Sequence, residues 1–294
     1  MSSDEDDVKV EQANVRRLRD QVKALHLKFW TRPWPDIDLD CTISNAEIGH
    51  PVVQPVDSIG AESDDESVPL VDDDFAYGTP PAETKLETLV YSCFKNLESF
   101  TTILGLDPLS RVLVVRKEYI DLYEALTNGI LSSNRTVIVT GQPGIGKSEF
   151  LIYLLLRRLR DGLPTAIQFR HSHYLIFDEK GGAVRFTGSD LPDPRLEKCW
   201  ALADSNDKVE TPCVAFRGGV EKLVQAASPD PSRWKRWVKY HLGYRVVMAL
   251  PTALEIGAIV RLPRLRRPRL CAQVGTLGPR RPRSLSYARQ RQHA

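Results

Sequence analysis

Apolar positions along this chain recur in two periods, and the switches between them outline a fold. Val15, Leu18, Val22, Leu25 and Phe29 return every three or four residues, so Val15 to Trp30 is expected to form an amphipathic helix, docked or transient. Similar spacing of Leu86, Leu89, Val90, Phe94 and Leu97 predicts a helix over 82–100. Tyr119, Leu122, Leu126 and Ile130 predict another over 119–131. Short β-branched or apolar runs then take over. Residues 111–115, 135–140, 165–169, 199–203, 223–227 and 246–250 read as strands. Tyr174 to Phe177 and Ala183 to Phe186 flank Asp178-Glu179-Lys180-Gly181-Gly182, a hairpin signal with glycine in the turn. Residues 148–161 hold an apolar run from Phe150 to Leu156 and end at Asp161-Gly162, which predicts a mostly buried helix. Alternating strands and helices predict an α/β fold with a parallel sheet flanked by helices. Ligands of such sheets bind at the carboxyl ends of the strands.

At one such end lies Gly141-Gln142-Pro143-Gly144-Ile145-Gly146-Lys147-Ser148, the G-x-x-x-x-G-K-S pattern of a Walker A loop. Strand, glycine-rich turn and helix follow one another in the order the pattern requires, which argues against a turn that holds nothing. Glycines let backbone N–H groups close around phosphate oxygens, and the helix N-terminus adds its positive end. The expected nucleotide contacts are therefore residues 141–148 together with Glu149. Lys147 is expected to reach the β- and γ-phosphates, and Ser148 to hold Mg²⁺.

Mg²⁺ needs a second anchor, an acid at the end of an apolar strand. Leu175-Ile176-Phe177-Asp178-Glu179 and Trp200-Ala201-Leu202-Ala203-Asp204 both qualify. Asp178 comes 31 residues after Lys147 and its glycine turn sends the chain straight back. Asp204 comes 57 residues after Lys147, which leaves room for a return into the parallel sheet, so Asp204 is favoured. Ser205 follows it, where many ATPases of the additional-strand class carry a catalytic Glu. The water-activating base is therefore unassigned among Asp207, Glu179 and Glu210, and slow turnover is expected. No N-K-x-D segment follows the loop, so adenine is favoured over guanine by elimination. Arg217, Arg233 and Arg236 are candidates to touch a γ-phosphate in trans, against the plainer reading of solvated charges. Ser228-Pro229 is either a polar sensor or a strand-ending turn. Trp234 and Trp237, among basic residues, suit nucleic acid less well than an amphipathic helix packed on the sheet. Arg170 and Arg185 are loose candidates for acceptor binding in a small-molecule kinase.

Composition changes the picture at the two ends. The 294 residues carry a net charge of only +2. Met1 to Asp74 holds 18 acidic and 7 basic residues, a net of −11, whereas Arg261 to Ala294 holds 10 arginines and no acid. Acidic clusters at 4–7, 64–66 and 72–74, with prolines at 33, 35, 51, 55 and 69, predict disorder for residues 1–80. Pro80-Pro81 marks a boundary, residues 81–134 read as a helical lead-in, and 135–262 as the core. The Arg/Pro-rich tail, 263–294, has three readings: a shifted reading frame, favoured here, a nuclear address, or non-specific nucleic-acid binding by counterion release. The cysteines at 41, 93, 199, 213 and 271 show neither C-x-x-C spacing nor a nearby zinc-completing His, so reduced thiols are expected. The acidic start lacks the features of a targeting peptide, and the longest apolar cluster is too short for a bilayer, so an intracellular protein without membrane association is expected.

Val139 to Ser148, followed by Leu151-Ile152-Tyr153-Leu154-Leu155-Leu156-Arg157-Arg158-Leu159, is similar to a set of fungal P-loop proteins. Their pattern continues with a Tyr-x-x-Phe-Asp-Glu hairpin, a Trp-Ala-Leu-x-Asp-Ser strand and an Ala-Ser-Pro turn, here Tyr174 to Glu179, Trp200 to Ser205, and Ala227 to Pro229. That group resembles the NTPase modules of crinkler and retrotransposon-hot-spot proteins. The resemblance covers Val115 to Leu262 and implies an ATPase module, often beside a nuclease-like domain, with Asp204 as the Walker B acid. It also implies a lid or helical subdomain after the core, so the core is expected to be truncated. The resulting expectation is an ATP-binding P-loop module with weak Mg²⁺-dependent ATPase activity, in which Lys147 and Asp204 carry the chemistry and Ser148 and Asp204 hold the metal. A non-catalytic nucleotide-dependent interaction module, or a truncated relic, is the alternative, and a small-molecule kinase ranks third.

Overall fold

The computed structural model describes residues 2–45, 87–106, 112–188, 193–206, 209–240 and 242–265. The acidic clusters at 64–66 and 72–74, the Pro80-Pro81 boundary, Asp207 and most of the arginine tail lie outside them.

The strands and helices are α1 (Ser2–Phe29), β1 (Ile37–Ser44), β2 (Thr88–Phe94), α2 (Glu98–Leu104), β3 (Leu113–Val115) and α3 (Lys117–Thr127). After them come β4 (Thr136–Thr140), α4 (Lys147–Arg160), β5 (Thr165–Gln168), β6 (His173–Asp178), β7 (Gly181–Phe186) and β8 (Trp200–Asp204). The last are α5 (Val214–Gly218), β9 (Lys222–Ala226), α6 (Lys235–Tyr240), β10 (Tyr244–Val247) and α7 (Ala253–Leu265). The seven-stranded sheet has the order β10-β4-β9-β8-β5-β6-β7. Its first five strands are mutually parallel, and β6 and β7 continue it as an antiparallel hairpin. β4, β5, β8 and β9 are buried along their whole length, as expected of strands covered on both faces. One face packs on α4, where Phe150, Leu151, Leu154 and Leu155 are fully buried. The other is covered through Phe216 of α5 and Trp237 of α6.

Two expectations give way at the amino-terminal side. Helix α1 extends well beyond Val15 to Trp30 and is docked: Val22, Leu25 and Phe29 join the main core, and Phe29 stacks on Trp34 at 4.1 Å between ring centroids. Residues 37–44 form a strand. Residues 1–80 are thus not a uniformly disordered region, because the apolar stripe of α1 offsets the ordering of an otherwise charged segment. The helix expected over 82–100 is instead β2 followed by α2. Tyr91 lies between exposed Val90 and half-exposed Ser92, and pairing with β1 and β3 settles the period in favour of a strand. β1, β2 and β3 make a small antiparallel sheet, so residues 81–134 are a mixed rather than a helical lead-in. Among the described residues, no helix is long and apolar enough to cross a membrane.

Candidate functional site

The loop between β4 and α4 is shaped by backbone that side chains tolerate poorly. Gly144 stands at φ 77° with open space where a Cβ would be, so its conformation rather than crowding calls for glycine. Gly146, at φ 93°, is crowded as well: a Cβ there would lie 2.1 Å from Tyr119 Oη. That hydroxyl donates to the Gly146 carbonyl at 2.9 Å, and burial pushes its pKa up, which keeps it a donor. Arg116, 2% exposed, supports the loop from beneath. Its Nη1 donates to the Ile145 carbonyl at 2.6 Å and its Nη2 to the Ala249 carbonyl at 2.9 Å, while Nε lies 3.5 Å from Glu255 Oε2. The loop is thereby fastened to the segment that follows β10.

Lys147 opens α4 and folds over the loop, donating to the carbonyls of Gly141 at 2.8 Å and Gln142 at 2.7 Å. Burial lowers its pKa, and Asp204 and Glu149 act in the opposite direction. Ser148 Oγ donates to Asp204 Oδ1 at 2.8 Å. Asn206 Nδ2 donates to the other oxygen of that carboxylate at 3.1 Å and to the Phe169 carbonyl at 3.2 Å. Asp204 is 6% exposed, and burial holds its carboxyl above the usual range against both hydrogen bonds and the attraction of Lys147. A buried carboxylate with two fixed donors, beside a serine hydroxyl and an ammonium group, is a hard oxygen site suited to a cation such as Mg²⁺.

Sheet direction separates the two candidate acids. β6 runs antiparallel to β5, with Phe177 opposite Thr165 at the start of β5. Asp178 therefore lies at the amino ends of the parallel strands, away from the loop. It pairs with Arg195, which donates Nε to Asp178 Oδ2 at 2.7 Å, and its backbone carbonyl meets His26 Nε2 at 2.7 Å. β8 runs parallel and ends where β4 ends, although β9 stands between them. Of the other residues expected to matter, Glu179 and Arg217 lie at the same amino ends. Glu179 sits in the turn beyond Asp178, and Arg217 lines a cavity with Arg135 and Thr136 at the start of β4. Glu210 is exposed, its carbonyl accepting from Ser205 Oγ at 3.0 Å. Arg185 pairs with Asp193 beside the hairpin, and Arg170 packs against Gly105. Ser228 follows β9 at the loop end of the sheet, its Oγ accepting from the Asp230 amide at 3.3 Å. Trp237 is buried in the core and Arg245 stacks over Trp234, so this segment packs as an amphipathic helix.

Arg116, Tyr119 and Asn206 carry no motif signal. Tyr119 reads from spacing only as one apolar position of a helix. Its hydroxyl acquires a role through the fold, as does Arg116, whose partners lie 29 and 133 residues away. Comparison with known family models, curated proteins and solved structures gives no match to this chain.

Proposed function

We propose that this chain is an ATP-binding P-loop module with weak, Mg²⁺-dependent ATPase activity. The observation that carries the reading is the 2.8 Å hydrogen bond from Ser148 Oγ to Asp204 Oδ1. It joins the last residue of a Walker A pattern to an acid 56 positions later, across an intervening strand. The resemblance described above supports the same acid.

In this reading Lys147 leaves the carbonyls of Gly141 and Gln142 and turns to the β- and γ-phosphates, while the backbone amides of 144–148 bind phosphate oxygens. Ser148 Oγ and Asp204 Oδ1, now joined by their mutual hydrogen bond, would hold Mg²⁺, and Asn206 would keep the carboxylate in orientation. The metal would supply charge neutralisation of the phosphates. Arg116 and Tyr119 hold the loop carbonyls so that its amides point inward. Ser205, in place of a catalytic Glu, favours slow hydrolysis, and it favours nucleotide-dependent binding without turnover as the second reading.

Calorimetric titration with ATP and Mg²⁺, paired with a phosphate-release assay, tests the site. Lys147→Ala should weaken binding by about 1.5–3 kcal/mol, the worth of a charge-assisted contact. Equal affinity in the two proteins would refute the site. Binding without phosphate release would select the second reading.

A further inference from the structure

The small sheet gathers three metal-ligating side chains that sequence spacing keeps far apart. Asp38 and Cys41 come from β1, and Cys93 from β2. Their ligand atoms all lie within 4.8 Å of one another. Cys93 is fully buried, while Asp38 and Cys41 are half-buried.

The backbone is arranged to bring them together. Asp38 pairs with Cys93 and Cys41 with Tyr91, and the register shifts between the two pairs. Positions 38 and 41 are three apart and would face opposite sides of a regular strand. The extra residue of the bulge returns both to one face, the face that carries Cys93. Asp40, within the bulge, takes φ 55°, a left-handed conformation uncommon for a residue other than glycine. Cys41, Cys93 and Val114 share this face with Ala258 and Leu254 of α7.

We propose that Asp38, Cys41 and Cys93 form a Zn²⁺-binding site between β1 and β2. Two thiolates and one carboxylate are a ligand set that Zn²⁺ accepts, with water completing a tetrahedron. Zinc–sulfur bonds of about 2.3 Å place two tetrahedral sulfurs about 3.8 Å apart, a separation compatible with ligand atoms that lie within 4.8 Å of one another. Lys95 pairs with Asp38 and orients its carboxylate. Each thiol gives up its proton to solvent, so one bound Zn²⁺ releases two protons. A disulfide fits the same pair less well. Cys41 and Cys93 are diagonal rather than directly opposed, and both are free thiols. The site would tie together two strands whose connection runs through residues 45–87.

The test uses the full chain, reduced and freed of metal, titrated with Zn²⁺ and with Co²⁺ as a spectroscopic probe. One equivalent of Zn²⁺ should bind with release of two protons, and Co²⁺ should give a thiolate charge-transfer band. Cys41→Ser and Asp38→Asn alter half-buried positions and leave buried Cys93 in place, so they guard against loss of folding. Each should weaken Zn²⁺ binding by at least about 100-fold, the upper range for loss of a mere outer-shell partner. Cys199→Ser and Cys213→Ser should bind Zn²⁺ as the parent does. A Zn²⁺ affinity unchanged by Cys41→Ser, absence of the charge-transfer band, or a Cys41–Cys93 disulfide that forms in mild oxidant while Zn²⁺ fails to bind would each overturn the proposal.

Discussion

Replacing Asp204 with Asn separates metal binding from folding, because the two carboxamide atoms can replace the two carboxylate oxygens. An amide oriented with its oxygen toward Asn206 Nδ2 and its nitrogen toward Ser148 Oγ keeps both hydrogen bonds, now at 3.1 and 2.8 Å. Lost is the charge. Burial is the largest influence on that charge, exceeding the hydrogen bonds from Ser148 and Asn206, and the attraction of Lys147 is the smallest. The folded-state pKa is therefore raised, and the sign follows. Asp204 contributes stability that is fully present below its unfolded pKa and is lost as pH rises through the folded pKa. Asp204→Asn should then match the wild type near pH 3.5 and be at least as stable at pH 7.5 in the absence of nucleotide. Differences between the two proteins cancel the other carboxylates. With ATP present, the variant should lose a ligand to Mg²⁺, a charge-assisted contact worth about 1.5–3 kcal/mol, or about 10- to 150-fold in affinity. Urea unfolding at the two pH values and calorimetry with and without Mg²⁺ measure both effects. A large loss of stability at pH 7.5, or an ATP affinity that still rises with Mg²⁺ as in the wild type, would refute the reasoning.

Three further outcomes follow from the structure. Asp178→Asn should leave the proposed Mg²⁺-dependent ATP binding unchanged and lower unfolding stability by about 1–3 kcal/mol, because the part-buried guanidinium of Arg195 loses its charged partner; a change in Mg²⁺ dependence would reverse the assignment of the two acids. Phe29→Ala, at a side chain 2% exposed and stacked on Trp34, should cost about 3–5 kcal/mol in urea unfolding, whereas a merely transient α1 would give no change. Removal of residues 266–294 should abolish any nucleic-acid binding that weakens steeply with salt, as expected of arginines that would act by counterion release, and leave ATP affinity unaltered; retained binding would place the contact elsewhere.

The parts of the candidate site that the sequence makes legible are those whose determinants lie side by side. Gly141 to Ser148 is flanked by its own strand and helix, so the motif and its context fall within one window. Asp204 is one step harder. Chain length between Lys147 and the two acids points to it, but the physical reason is strand direction: the glycine turn makes β6 and β7 antiparallel and sends Asp178 to the far end of the sheet. The failures are non-local in the same sense. Residues 88–94 satisfy both a helical spacing and an alternation, and the choice is made by β1, a segment whose surrounding charge and prolines suggest disorder. Lys222 is also misleading in sequence, a charge at the edge of an apolar run. In the fold it is 5% exposed and donates to the carbonyls of Leu126, Leu131 and Ser132 at 2.8–3.1 Å.

Arg116 carries this argument furthest toward function. A Walker A pattern specifies which backbone amides can meet phosphate, but not what holds the loop's carbonyls away from them. Here that work falls to a buried guanidinium and a tyrosine hydroxyl from the segment before β4, bonded to the carbonyls of Ile145 and Gly146. The same guanidinium reaches Ala249 and lies against Glu255, so the loop is braced between the start of α3 and the start of α7. α7 in turn shares a packed cluster with β1 and β2. Loop geometry therefore depends on the small sheet as well as on the parallel one. Any change in how β1 and β2 are fastened has a contiguous route, through α7, Glu255 and Arg116, to the carbonyl of Ile145.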